Sequence, residues 1–158
     1  MDKLMRDRVK VMRYIDEHPV VVLGTIDDYH RPHGSVVYAV SGDHETKMHV
    51  YFLTKEDTVK FHNLKARPAV SITSFDEEAI DCLQAQGHAA VERDPRVIDM
   101  VMKNLTRAHH HTEEWLPPIA KLRAGNYVIV GVTITHARIG EFKGAAQGHH
   151  DDIFTDAK

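Results

Sequence analysis

The stretch Tyr51-Phe52-Leu53-Thr54-Lys55-Glu56-Asp57-Thr58-Val59-Lys60 concentrates the chemistry of this 158-residue chain. A strand pattern ends in a hydroxyl, Thr54. A short turn supplies a second hydroxyl, Thr58, and Lys60 follows where a helix begins. Hydroxyls donate hydrogen bonds, the first N–H groups of a helix have no intrahelical partner, and an ammonium neutralises negative charge. That combination suits a phosphate group. A plain strand, turn and helix with a surface lysine carries the same residues, so the stretch alone leaves both readings open.

Further along, Gln84 and Gln86 fall on one face of a predicted strand, with Cys82 beside them. Polar residues at period two mark either a solvated face or a face that hydrogen-bonds a ligand. A lone cysteine is either a small buried hydrophobe or a reactive thiol. Histidine is abundant, 13 residues, and clusters at His109-His110-His111 and His149-His150. Adjacent histidines on a helix point in different directions, and neither cluster has the spacing of a zinc motif, so no metal site is predicted. A single neutral histidine is enough for an axial haem ligand, which keeps His33, His88 and His109 to His111 as candidates for that chemistry. Trp115-Leu116-Pro117-Pro118 reads as a loop anchored on the core or as a cover for a cofactor. The glycine-rich dinucleotide fingerprint, the P-loop and the Gly-x-Ser-x-Gly elbow are all absent, which argues against a Rossmann cofactor crevice and a serine hydrolase.

These residues need elements to position them. Leu4, Met5, Val11, Met12 and Ile15 recur near the helical period and predict an amphipathic helix that ends before Pro19. Val20 to Ile26, His33 to Val40 and Met48 to Thr54 predict three strands joined by hairpin-length polar turns, hence antiparallel. Lys55 to Lys65 predicts a short helix capped by Asp57. Ala69 to Ser74 and Ile80 to Val91 predict two more strands. Asp94-Pro95 opens a helix with Ile98, Val101, Met102 and Leu105 on one face, and Tyr127 to Ile139 alternates as the last strand. About six strands with helices between hairpins predict an α+β domain built on a small barrel or sheet rather than a doubly wound parallel one.

Residues 10 to 93 carry a resemblance. Thr54, Thr58, Lys60, Pro68 and Val70-Ser71 stand in the register of the flavin-binding segment of the pyridoxamine 5′-phosphate oxidase-like proteins. Val22-Leu23-Gly24-Thr25-Ile26-Asp27 resembles that family's first strand, and Arg31-Pro32-His33-Gly34-Ser35-Val36-Val37-Tyr38 its second. Gln84-Ala85-Gln86-Gly87-His88-Ala89 resembles the strand in which it places a glycine before a small residue. The resemblance implies an antiparallel split β-barrel with peripheral helices, pairing as a homodimer with FMN at the interface. It implies that Thr54, Thr58 and Lys60 hold the FMN phosphate and that the backbone of Ser35, Val36 and Val37 lies along the flavin ring. Leu53 belongs to the same cofactor-binding set, and Gln84 or Gln86 bonds the ring edge. The true oxidase has basic residues where Ser35, Val40 and Val59 stand here, and a carboxy-terminal Arg-x-His element that this chain lacks. The expectation is therefore a flavin-dependent oxidoreductase acting on a small molecule, not a pyridoxamine phosphate oxidase. A haem-binding or haem-degrading barrel, a deazaflavin-dependent relative and a non-catalytic binder are the alternatives. Because the flavin carries such chemistry, no side chain is singled out as catalytic.

Composition sets the outer limits. Charged residues are 27% and hydrophobic ones 42%, with a formal net charge of −3, an ordinary globular balance that gives no reason to expect nucleic-acid binding. One cysteine excludes an internal disulfide. The charged N-terminal stretch is not a signal peptide, and no apolar run reaches membrane-spanning length, so a cytoplasmic protein is expected. Residues 1–140 are read as the FMN-binding split-barrel domain and 141–158 as an irregular tail.

Overall fold

Segments rich in Val, Ile, Phe, Tyr and Thr become seven strands, and two amphipathic segments and one short mixed one become helices, in a computed structural model that describes residues 3–42, 47–108, 126–143 and 153–158. Helix α1 (Lys3–Glu17) leads into β1 (Val20–Ile26), β2 (Pro32–Ser41) and β3 (Met48–Lys55). Helix α2 (Val59–Ala66) precedes β4 (Ala69–Asp76) and β5 (Asp81–Val91). Helix α3 (Pro95–Ala108) precedes β6 (Tyr127–Glu141), and β7 (Phe154–Ala157) ends the order. Every pairing is antiparallel, in the order β3-β2-β1-β4-β5-β6, and β6 returns to β3 through Met48↔Ile134 to Lys55↔Tyr127. The six strands thus close into a barrel, and the expected α+β split-barrel class holds.

The two faces of each strand explain the closure. On β5 the burial alternates strictly, with Leu83, Ala85, Gly87 and Ala89 inward and Gln84, Gln86, His88 and Ala90 outward. Leu23, Val50, Phe52, Ile72, Leu83, Val130 and Ile139 fill the interior with almost no exposure. The apolar face of α1, with Val11, Met12, Tyr14 and Ile15, joins the same core. A second cluster lies outside the barrel, where Val101, Met102 and Leu105 of α3 pack on Val40, Tyr51 and Ile129. Between Gln86 and Gly87 the β5–β6 register shifts, and a Cβ on Gly87 would lie 2.3 Å from the carbonyl oxygen of Thr133. Only glycine lets the strands approach that closely.

Three details differ from the sequence reading. Helix α2 starts at Val59, and its N-cap is Thr58 rather than Asp57, with the Thr58 hydroxyl accepting from the Phe61 N–H. The tail read as irregular contains β7, which pairs with Ala137 to Gly140 of β6. Strand β3 has left β6 by that point, so the edge of β6 is open to another strand. Four residues with weak alternation gave no strand signal by themselves. His109 to His111, Trp115 to Pro118 and His149-His150 lie outside the described residues. No helix among the described residues is long and apolar enough to cross a membrane.

Candidate functional site

The strand order places β2 beside β1, and β3 crosses onto β2 only at its far end. Ala39 donates its N–H to Pro19 O at 2.7 Å, which sets the phase of the ladder. Odd-numbered residues of β2 exchange backbone bonds with β1, and even-numbered ones turn their N–H and C=O the other way. On that other side β3 pairs only with Ala39, Val40 and Ser41. The backbone of Val36 therefore faces a gap between diverging strands. Continuing the register from Ala39↔Phe52 puts Val37 level with Thr54 across that gap.

Side chains follow the same alternation. Val37 points into the core, whereas Val36 is 66% exposed on the outer face. Ser35 is the exception in chemistry: its hydroxyl oxygen is buried and has no hydrogen-bond partner among the described residues. A buried polar atom left unbonded costs about 1–3 kcal/mol, so a group that bonds it is favoured there.

Across the gap, Thr54 and Thr58 come together. Thr54 is buried, and its hydroxyl lies 3.2 Å from that of Thr58. Thr58 also donates to Lys55 O at 2.8 Å and caps α2 through the Phe61 N–H at 3.4 Å. Leu53 is half-buried near the end of β3, and Lys60 is half-buried in the first turn of α2. A depression of about 350 Å³ at the head of α2 is lined by Glu56, Asp57, Thr58, Val59 and His62. Lys60 is not part of that lining, and two carboxylates are. An anion there meets repulsion from Glu56 and Asp57.

The loop ahead of β2 is tied to this junction. Asp28 accepts from His62 at 2.8 Å and from Arg67 Nη1 at 3.0 Å. Those bonds, that of His62 first, hold its carboxyl below the usual carboxylate range. Beneath them the buried Asn63 donates to Thr25 Oγ1 at 3.1 Å, and Thr25 Oγ1 donates to His33 O at 3.4 Å. This chain of bonds fixes α2 against β1 and β2. Sequence reasoning missed Asn63, although a lone amide between Phe61 and Leu64 on the apolar side of a short helix was its signal.

Gln84 and Gln86 are not in this region. They line an outer groove of about 520 Å³ with Ser71, Thr73, Ala85, His136 and Arg138. His136 and Arg138 were also missed, because their role depends on register: they stand opposite Gln86 and Gln84. The predicted residues thus form two groups on one copy of the chain. One lies at the β2–β3 split with the head of α2, and the other on the outer face of β4, β5 and β6. Of the haem candidates, His88 lines a third groove of about 340 Å³ with Gly24, Thr25, Val70, Gly87 and neighbours. Among the described residues, no group of three or more His, Cys, Asp or Glu is placed to hold a metal ion.

Comparison with known proteins agrees with this architecture. The family model for pyridoxamine 5′-phosphate oxidase matches residues 8–139. Among solved structures, protein Rv2991 from Mycobacterium tuberculosis superposes with a TM-score of 0.71 at 17% identity, over 92% of this chain and 88% of that one. General Stress Protein 26 from Bacillus anthracis gives 0.61 at 16% identity, over 87% and 94%. HutZ, a heme storage protein from Vibrio cholerae, gives 0.61 at 18% identity, over 80% and 88%. At these identities the likeness is one of fold. No protein with a curated description matches the sequence.

Proposed function

Because the chain belongs to the pyridoxamine 5′-phosphate oxidase family, we propose that it is an FMN-binding oxidoreductase acting on a small molecule, working as a homodimer with the flavin between copies. The observation that carries this reading is the split itself. Strand β2 leaves its backbone edge open at Val36, next to the buried hydroxyl of Ser35, which has no partner among the described residues, and Val37 is level with Thr54 of the Thr54–Thr58 hydroxyl pair. A planar ring with hydrogen-bonding edges and a phosphate tail matches that sequence of groups. Val36 and Val37 would flank the ring, Leu53 would pack beside it, and Thr54, Thr58 and Lys60 would take the phosphate.

The separation of the two residue groups supports the dimer. In this reading Gln84 and Gln86 would approach a flavin at the β2–β3 split from a second copy. The outer face between the groups is apolar, with Val20, Val22, Val36 and Tyr38 each at least 45% exposed and paired as Val20↔Tyr38 and Val22↔Val36. Burying such a patch against its own copy satisfies both surfaces at once. Bound FMN would supply electron transfer at its ring, and the residues named here bind, orient and shield it.

The test is gel filtration after incubation with FMN, followed by a visible spectrum of the protein peak. Retained flavin bands in the wild type, lost in Lys60→Glu, are the expected result. A dimer that retains no flavin, or a Lys60→Glu variant with unchanged retention, removes the phosphate cradle from the argument. A second reading, haem binding, is favoured by one observation, the placement of His88 in the groove beside Gly24 and Gly87. A Soret band on haem titration that disappears in His88→Ala would put that reading first.

A further inference from the structure

The outer groove holds more chemistry than the two glutamines account for. Its lining is two cross-strand rows, Ser71–Gln86–His136 and Thr73–Gln84–Arg138, over Ala85. The lining contains two hydroxyls, two amides, an imidazole and a guanidinium, and no carboxylate. Its size, about 520 Å³, lies within the range of small-molecule sites.

Arg138 is held from behind. Its Nε donates to Asp156 Oδ1 at 2.7 Å and its Nη2 to Asp156 Oδ2 at 3.2 Å. The guanidinium carbon also lies 5.0 Å from the centroid of the Phe154 ring. Both partners come from β7, which pairs Arg138↔Asp156 in register. A guanidinium has two edges that can each bind a carboxylate in parallel. Asp156 occupies the Nε–Nη2 edge, and Nη1, on the other edge, has no partner among the described residues. Fixing one edge removes much of the rotamer entropy that a long side chain otherwise loses on binding.

We infer that this groove is a binding site for a small monoanionic carboxylate, with the free edge of Arg138 as the recognising fork and the hydroxyls of Ser71 and Thr73 bonding the rest of the molecule. A monoanion fits the charge better than a phosphate dianion. Asp156 already offsets part of the Arg138 charge, so a second negative charge in the groove meets no further fixed cation in the lining. As the substrate of a flavoprotein this occupant rests on the proposed function above, whereas its binding to the groove does not.

Isothermal titration of the full chain with benzoate, and with benzamide as the neutral counterpart of the same shape, tests the assignment. The wild type is expected to bind benzoate roughly tenfold or more tightly than benzamide, the scale of a charge-assisted bond. Arg138→Gln is expected to erase that preference. Arg138→Lys, which keeps the charge without the fork, is expected to retain only part of it. Equal binding of the two probes by the wild type, no detectable benzoate binding, or a preference that survives Arg138→Gln overturns the inference. Should Arg138→Gln not fold, a full preference in Arg138→Lys overturns it instead. FMN retention measured on the same preparations separates the two proposals. Retained flavin without benzoate preference refutes only the carboxylate site, and benzoate preference without retained flavin refutes only the flavin reading.

Discussion

Replacing Thr58 with valine keeps the shape of the side chain and removes its hydroxyl, so the cost can be worked from three bonds. The first is the cap on α2, at 3.4 Å from the Phe61 N–H, a long contact that sits at the low end of cap energies, about 0.5–1 kcal/mol. The second, to Lys55 O, costs little, because that oxygen still accepts the Thr58 N–H at 3.3 Å. The third leaves the buried Thr54 hydroxyl without its 3.2 Å neighbour, worth about 1 kcal/mol as an unsatisfied group. The sum is about 1.5–2 kcal/mol, which in a domain of this size lowers Tm by about 3–8 °C. Thermal melts followed by circular dichroism measure it without any ligand. A Thr54→Val, Thr58→Val double variant sharpens the test, because removing both hydroxyls leaves none stranded. The double variant is expected to lose about 1 kcal/mol less than the sum of the singles. Strict additivity, or a Thr58→Val protein that melts with the wild type, would show that the two hydroxyls do not act as a pair. The same melts in excess FMN report the site: a ligand at a hundred times its Kd adds about 2.7 kcal/mol, and that increment is expected to shrink in both single variants.

Other substitutions probe the frame around the site. Gly87→Ala forces a Cβ to within 2.3 Å of backbone at Thr133, and it is expected to lose about 1–3 kcal/mol in urea denaturation. Wild-type stability in that variant would mean the bulge at Gln86/Gly87 relaxes freely. Ile80 adopts a φ of 58° in the β4–β5 turn, a left-handed conformation that a β-branched residue disfavours. Ile80→Gly relieves it and is expected to gain on the order of 1 kcal/mol, readable as a higher urea midpoint; a lower midpoint refutes the strain. The Asp28 carboxyl is held below its ordinary value by His62 and Arg67. Its folded pKa lies under the unfolded one, so its stabilisation is present above the unfolded value of about 3.9 and is lost as pH falls through the folded value. The gap in urea midpoint between wild type and Asp28→Asn should therefore be widest near neutral pH and close on acidification. A gap that does not change with pH would place the Asp28 contribution outside its charge.

The sequence carried the barrel because its strands alternate cleanly and its turns are short. Val20 to Ile26, Met48 to Thr54 and Tyr127 to Ile139 each show period two or a β-branched run, and each is a strand within a residue or two of its expected ends. The pairing of Thr54 with Thr58 was legible for a local reason: four residues across a strand–turn–helix junction span a short distance. Register was not legible. Nothing in the order of residues says that Gln84 faces Arg138, or that Val20 and Val22 stand beside Tyr38 and Val36. Those neighbours come from strands far apart in sequence, and a slip of one residue would reverse every face. Strand β7 was missed for a related reason. Four residues, Phe154 to Ala157, have too little periodicity to declare themselves, and their pairing depends on the edge of β6 that β3 vacates.

The seam between β3 and β6 also governs the order in which the molecule can assemble. Its partners, such as Met48 and Ile134, are far apart along the chain, whereas β1–β2 and β4–β5 are local hairpins. Loop closure is costly before distant contacts repay it, so the hairpins form early and the seam closes late. Until it does, β3 and β6 each present a row of unpaired N–H and C=O groups, and a strand edge in that state pairs as readily with another molecule as with its own. The contact that completes the barrel is therefore also the one where an unfinished chain is most exposed to aggregation.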